Sequence, residues 1–224
     1  MTTYQLVGML KRTDRLVQMQ ATNASPAKQK LLNAALALFR ERGYSDTSVD
    51  DLCRAAGVTK GAFFHHFESK EALAVAAIQQ WNEITGALFA GAPYQSVADP
   101  KERLLAYVDF RAELVRGDLP EWTCLLGTLV QETFATHPAL RRFCGEGIEA
   151  HAQTLVPTIE AARKQYAPDA EWSAEGLARH TQAVLQGAFV LAKAMNNPQA
   201  ALDAIAHLRR YIELLLPKPR KRTK

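Results

Sequence analysis

Three observations predict an all-α fold of about nine helices. Apolar residues recur at helical spacing in almost every segment. No stretch shows the apolar–polar alternation of a half-buried strand. Ser and Thr mark helix starts, and Gly and Pro mark helix ends, at the intervals that capping chemistry requires. The composition agrees, because 48% hydrophobic and 22% charged residues in a 224-residue chain allow a large core and exclude global disorder.

Residues 1–24 have weak apolar spacing at Leu6, Leu10 and Val17 and read as an N-terminal extension. Ser25-Pro26 then opens a helix, with Ser25 as N-cap and Pro26 at the first helical position. Leu31, Leu32, Ala35, Leu38 and Phe39 form its apolar face, and Gly43 stops it. Two short helices follow, separated by a tight turn at Gly57. The next helix is expected from Ser69 to about Ala90, and another from Pro100 to about Arg116. A further one runs from about Trp122 to Thr136 and is stopped by His137-Pro138. The segment 139–166 is helical in period but carries Gly145, Gly147 and Pro157, which predict a bend or break. Two last helices are expected over 173–195 and 198–216.

Several function classes are excluded or weakened at this stage. No apolar run reaches the roughly 18–20 residues that span a bilayer. Lys11, Arg12, Asp14 and Arg15 interrupt any signal-peptide core, so a cytoplasmic protein without membrane contact is expected. Cys53, Cys124 and Cys144 have neither disulfide-framework nor zinc-module spacing, and the six histidines lack the HExxH pattern. No metal or cofactor is expected. Gly145-Glu-Gly147 has no preceding strand, so it is not a dinucleotide loop, and no serine elbow or P-loop supports an enzyme. The five cations of the tail, residues 218–224, outnumber the chain's net charge of +4. Such a tail is most often a solvated end, and it can attract nucleic acid without sequence preference.

The stretch 47–70, TSVDDLCRAAGVTKGAFFHHFESK, carries the most specific signal. Ser48 and Asp51 have capping-box spacing, and Val49, Leu52 and Ala56 form one apolar stripe. Gly57 permits a turn that needs positive φ, and Thr59 caps the next helix. Val58, Phe63 and Phe67 are expected in the core, leaving Lys60, Ala62, Phe64 and His65 near the exposed face. Gly61 and Ala62 are small enough for a helix start to approach base edges closely. Lys60 can donate to guanine O6 or N7, while His65, His66 and Lys70 can meet phosphates. The plain alternative is a pair of surface histidines on a small helical domain, because this helix pair also occurs in proteins that never touch DNA.

From Pro26 to about Ala76 the chain closely resembles the N-terminal domain of the TetR family of bacterial transcriptional repressors. The resemblance rests on LFRERGY at 38–44, Thr47-Ser48, AAGVTKG at 55–61 and FHHFESKEAL at 64–73. It implies a homodimer on a palindromic operator in double-stranded DNA, a helix-turn-helix domain at 25–70 and a ligand-binding and dimerisation domain at 71–217. By matched position, Ser48, Thr59, His65, His66 and Lys70 are phosphate or backbone candidates. Lys60, Gly61, Ala62 and Phe64 are the groove-facing candidates. The sequence departs from the family where Phe64 replaces the usual Tyr and Ala62 the usual Thr, and where Asp50 and Asp51 add negative charge. Base reading therefore leans on Lys60.

The resemblance also implies a small-molecule effector. Tyr107, Phe110, Trp122, Leu126, Phe134, Trp172 and Phe189 are the pocket candidates, with Glu132, His137 and His151 as polar anchors; each aromatic has packing as its plain alternative. Cys124, before a LeuLeuGly run, resembles a cysteine of a family subgroup that responds to electrophiles or oxidants, which makes it a candidate sensor thiol. The expected dimer faces are Leu177, His180, Val184, Leu185, Ala188 and Leu191 on one helix and Ile205, Leu208, Ile212 and Leu215 on the next. An all-α enzyme and a non-specific nucleoid protein are the rival readings.

Overall fold

The computed structural model describes residues 25–217. The N-terminal extension at 1–24 and the basic tail at 218–224 lie outside the described residues. Among the described residues there are ten α-helices and one 3-10 turn, and no strand. In chain order they are α1 Pro26–Arg42, α2 Val49–Ala56, α3 Lys60–His66, α4 Lys70–Ala90, the 3-10 turn Pro93–Ser96, α5 Pro100–Glu113, α6 Leu119–Trp122, α7 Leu125–Thr133, α8 Pro138–Tyr166, α9 Ala174–Met195 and α10 Gln199–Leu215.

Most boundaries follow from caps legible in the sequence. Ser25, Thr59, Ser69, Asp99 and Ser173 each accept a backbone N–H from the first turn of the helix they start. Two expectations change. The helix placed at 122–136 is shorter, Leu125–Thr133, and Trp122 instead closes a separate short helix that follows Gly117 (φ +78°) and carries Pro120 in its first turn. There the Glu121 carboxylate accepts from the Asp118 N–H at 3.3 Å. The expected break in 139–166 does not occur, and α8 runs through Pro157. Pro157 is exposed, so the Gln153 carbonyl that loses its partner faces the solvent side, where water can satisfy it.

The helices group into two compact units, one containing the residues up to Gly91 with Leu125–Gly145, the other Ala92–Cys124 with the residues from Glu146 onward. In the first, α1 packs against α2, α3, α4 and α7. Leu31, Ala35, Phe39, Leu52, Phe63, Leu73, Ala74, Ala77 and Ile78 are fully buried there. Each large side chain among them contributes roughly 1.5–3 kcal/mol of transfer free energy, enough to hold the three short segments around residues 43–70 in one arrangement.

In the second unit, α10 packs against α9 and α5. Leu104, Tyr107, Val108, Leu177, Leu185, Ile205, Leu208 and Ile212 form the core. Buried Lys101 donates its ammonium to the Leu216 carbonyl, placing a cation at the C-terminal end of α10 where the helix dipole favours one. Leu177, Leu185, Ala188, Ile205, Leu208 and Ile212, expected to face a partner, are buried within this unit. The exposed apolar side chains of these helices are instead Val190, Leu191 and Met195 on α9 and Tyr211 and Leu214 on α10. The reason is geometric: the expected stripe on α9 spans the edge between its two faces, so Leu177, Leu185 and Ala188 turn inward while His180 and Leu191 turn outward.

Candidate nucleic-acid interface

The turn between α1 and α2 fixes where the next two helices lie. Gly43 has φ +86°, and a Cβ built there would fall 1.9 Å from Glu132 Oε1. Glu132 approaches this closely because its carboxylate accepts from the backbone N–H groups of Tyr44 and Ser45, both at 3.0 Å. Buried Thr47 donates its hydroxyl to the Gly43 carbonyl at 2.7 Å. Lys70 completes the clamp, donating to the carbonyls of Tyr44 at 2.8 Å and Thr47 at 2.9 Å, with its ammonium 4.1 Å from the centre of the Tyr44 ring. Burial lowers the Lys70 pKa from its ordinary value, and the charge of Glu132 opposes that fall.

These contacts bear on two assignments. The turn takes two of the three donors of the Lys70 ammonium, leaving one for a phosphate. Glu132 grips the same turn, so it is removed from the effector anchors. His137, the second expected anchor, packs edge-on against Tyr44 at 4.8 Å.

The α2–α3 pair is built as its sequence implies. Ser48 accepts from Asp51 N–H at 3.1 Å, while the Asp51 carboxylate accepts from Ser48 N–H at 3.1 Å. The capping box is therefore complete, and the Ser48 hydroxyl itself donates to Asp51 at 2.5 Å. These bonds hold the Asp51 carboxyl below its ordinary pKa. Gly57 adopts the left-handed conformation, φ +63°, and turns the chain into α3. Thr59 caps α3 through the Ala62 N–H at 3.1 Å.

Phe63 and Phe67 are buried and Val58 is half-buried, as expected, so α3 is anchored on one side. Its other side is open. Phe64 is 56% exposed, and Lys60, Gly61 and His65 are exposed with it; Ala62 is half-buried. At Gly61 a Cβ would meet nothing closer than Thr59 Oγ1 at 3.7 Å, so internal packing does not require glycine there. His66 is partly withdrawn, its Nε2 bonded to Ser25 Oγ at 2.9 Å. Lys60 pairs with Asp50 across the two helices at 2.7 Å, and that hydrogen bond and charge raise its pKa from the ordinary value.

The effector candidates separate into two groups. Leu126 and Phe134 belong to the first unit, where Leu126 is buried and Phe134 is 59% exposed. Trp172 is half-buried in the second unit. Tyr107 and Phe110 lie in one aromatic group of that unit and Trp122 and Phe189 in another, each with residues that the sequence did not single out. Tyr94 stacks edge-on with Tyr107 at 5.4 Å and lies 5.8 Å from Phe110. Phe189 packs against Trp122 at 5.8 Å and carries the Arg111 guanidinium at 5.6 Å.

Fully buried Tyr107 bonds His151 Nε2 at 3.1 Å and accepts from Gln182 at 3.4 Å. Burial, with the nearby Arg111 charge adding to it, pushes the His151 pKa down to about 3, so the ring is neutral at ordinary pH. Burial pushes Tyr94 up to about 12, with Tyr107 contributing. Trp122 Nε1 and Thr123 Oγ1 are buried without a hydrogen-bond partner. The spacing of Tyr107 and Arg111, one helical turn apart on α5, was a legible signal for Arg111; nothing in the sequence points to Gln182.

Among the described residues no group of three or more His, Cys, Asp and Glu could hold a metal ion. No described helix is long and apolar enough to cross a membrane.

Comparison with known proteins gives the same picture. Residues 31–77 match the family model described as bacterial regulatory proteins, tetR family. Residues 100–208 match the tetracyclin repressor-like C-terminal domain. The chain is 33% identical over 112 residues to the transcriptional regulator AcuR of Cereibacter sphaeroides, which covers 50% of this chain and 51% of AcuR. The chain thus spans about half the length of that relative. It is 29% identical over 151 residues to the transcriptional repressor DhaR of Mycobacterium sp. strain GP1, covering 65% of this chain and 74% of DhaR. Among solved structures, the TetR regulatory protein of Rhodobacter sphaeroides superposes with a TM-score of 0.74 at 26% identity, covering 84% of this chain and 99% of that one. A helix-turn-helix held by a clamped turn, an all-α body and both family models lead to one conclusion: the chain belongs to the tetR family of bacterial regulatory proteins, which are DNA-binding transcriptional regulators and not enzymes.

Proposed function

We propose that this chain is a cytoplasmic repressor that binds a palindromic operator as a homodimer and is released by a small molecule. The observation that carries the DNA-binding part is the open face of α3. Lys60, Gly61 and Phe64 are exposed on a helix whose opposite side is locked by Phe63, and Gly61 is small although nothing inside the protein requires it. A glycine there lets the backbone approach base edges. Lys60, Gly61, Ala62 and Phe64 are assigned to the groove. Ser48 and Thr59 lie at helix starts, His65 is exposed on α3 and His66 is partly exposed at its end, and all four are assigned to the phosphates. A gel-shift with the DNA upstream of its own gene tests this. Tight binding limited to one site is expected; equal binding of all DNA with a steep salt dependence identifies a nucleoid protein and refutes it.

The dimer is assigned to the outer face of α9 and α10. His180, Gly187, Val190, Leu191 and Met195 line α9, beside Tyr211 and Leu214 on α10, and His180 packs on Tyr211 at 5.0 Å. Exposed Gly187 allows another helix to approach closely. A dimer sets two α3 helices about 34–36 Å apart, the spacing of successive major grooves.

The effector is assigned to the two aromatic groups, Tyr107 with Phe110 and Trp122 with Phe189, where an apolar wall adjoins the polar groups of Arg111, His151 and Gln182. The unpartnered Trp122 Nε1 and Thr123 Oγ1 support this, because a buried polar atom left unpaired in the free protein is one that a bound molecule or water can satisfy. An effector that favours one spacing of the two α3 helices changes operator affinity through its differential affinity for the two states.

A second reading, thiol sensing by Cys124, is favoured by one observation: Cys124 is partly exposed while Cys53 and Cys144 are buried. Alkylation mapped by mass spectrometry should then mark Cys124 ahead of the other two. Full induction of Cys124→Ser by every active compound removes this reading.

A further inference from the structure

The Asp50–Lys60 pair joins the start of α2 to the start of α3 at the end of the helix assigned to base reading. The Lys60 ammonium lies 2.7 Å from Asp50 Oδ1, and both side chains are more than half exposed, at 63% and 54%. Exposed pairs of this kind contribute about 0–1 kcal/mol to folding. Its value is therefore not stability, and a carboxylate on a DNA-facing surface lowers affinity for any duplex. We propose that Asp50 is a specificity-determining positioning residue: it holds the Lys60 ammonium at the groove-facing end of α3 and keeps it off non-specific phosphates. This rests on the DNA-binding reading given above.

The chemistry of the ammonium supports it. Lysine is a flexible stem ending in three donors with no acceptor. Asp50 takes one donor, which fixes the head and leaves two. Those two can reach guanine O6 and N7 while the pair stays intact. A phosphate contact made by an extended Lys60 breaks the pair and strands Asp50 as an anion beside the anionic backbone. The penalty falls on non-specific complexes and spares a complex that presents guanine at the right place. Asp51, the neighbouring acid, has no such role, since its carboxylate is occupied by the Ser48 backbone and hydroxyl and by Arg54 at 3.1 Å.

The test is binding-site selection and quantitative competition with the full-length protein, comparing wild type, Asp50→Ala, Asp50→Glu, Lys60→Ala and the double variant. Asp50→Ala should strengthen binding to random duplex and steepen its salt dependence by about one phosphate contact. It should lower the ratio of operator to random affinity by up to about fivefold, the fold-change that the ~1 kcal/mol of an exposed pair can supply. The base position that relaxes should be the one relaxed by Lys60→Ala, and the double variant should lose no more preference there than Lys60→Ala alone. Asp50→Glu should restore part of the preference. A uniform rise in affinity for all duplexes with the ratio unchanged overturns the proposal, as does relaxation at a different base position. Wild-type protein that selects no site at all refutes instead the DNA-binding reading. Asp50 is exposed in the first turn of α2, so unchanged circular dichroism and at most a small fall in thermal midpoint are expected in every variant; a lost fold in Asp50→Ala leaves Asp50→Glu and Lys60→Ala to decide by whether the same base position responds to both.

Discussion

At the residue scale, the structure assigns particular atoms to jobs that residue type alone left open. Gly43 is the sharpest case. Replacing it with alanine forces a side chain into positive φ and against the Glu132 carboxylate, and a loss of ~1–3 kcal/mol is expected in urea unfolding. His151 predicts a pH dependence. Its folded pKa is depressed to about 3, against about 6.5 in an unfolded chain. Below the unfolded value the unfolded chain takes up the proton and the folded one does not. Stability therefore falls as pH drops between these two values, with a slope of up to ~1.4 kcal/mol per pH unit from this group. His151→Gln, which keeps an acceptor for Tyr107, should flatten the decline of the urea midpoint between neutral and mildly acidic pH. Neither residue's role was fully legible in advance. The sequence marks Gly43 as a helix stop, but its second constraint comes from a carboxylate far along the chain. The His151 environment depends on which helices cover it, and local spacing carries no such information.

At the element scale, caps made the sequence most informative. Ser25, Ser48, Thr59 and Ser69 each hold the helix start that their position implies, because capping is decided within four residues. Ser48→Ala should therefore cost about 1 kcal/mol and weaken operator binding by loosening the start of α2; an unchanged melting midpoint would count against the cap. Local rules misjudged the elements whose fate depends on more than their own residues. Pro157 remains inside α8 because the freed carbonyl is on the water side, which a propensity scale does not register. The α9 stripe mixed inward and outward residues because apolar spacing marks a face without saying which neighbour covers it.

At the scale of the whole molecule, the all-α class and the helix-turn-helix were legible, whereas the surfaces that serve assembly and release were legible only as lists of apolar residues. If the outer face of α9 and α10 joins two copies, Leu191→Glu with Leu214→Glu should give a folded monomer in sedimentation experiments and abolish cooperative occupancy of both operator halves. An unchanged dimer would move the interface elsewhere. The carboxylate at Gly43 has a further consequence for how such proteins diverge. Glu132 lies inside the stretch matched by the C-terminal family model, and Gly43 inside the one matched by the N-terminal model. A recombination event that exchanged one half for a relative's would separate a residue without a side chain from the acid shaped to meet it. Lineages that trade regulatory halves should therefore inherit positions 43 and 132 as a linked pair, and chimeras built between relatives should fold best where that pair is transferred together.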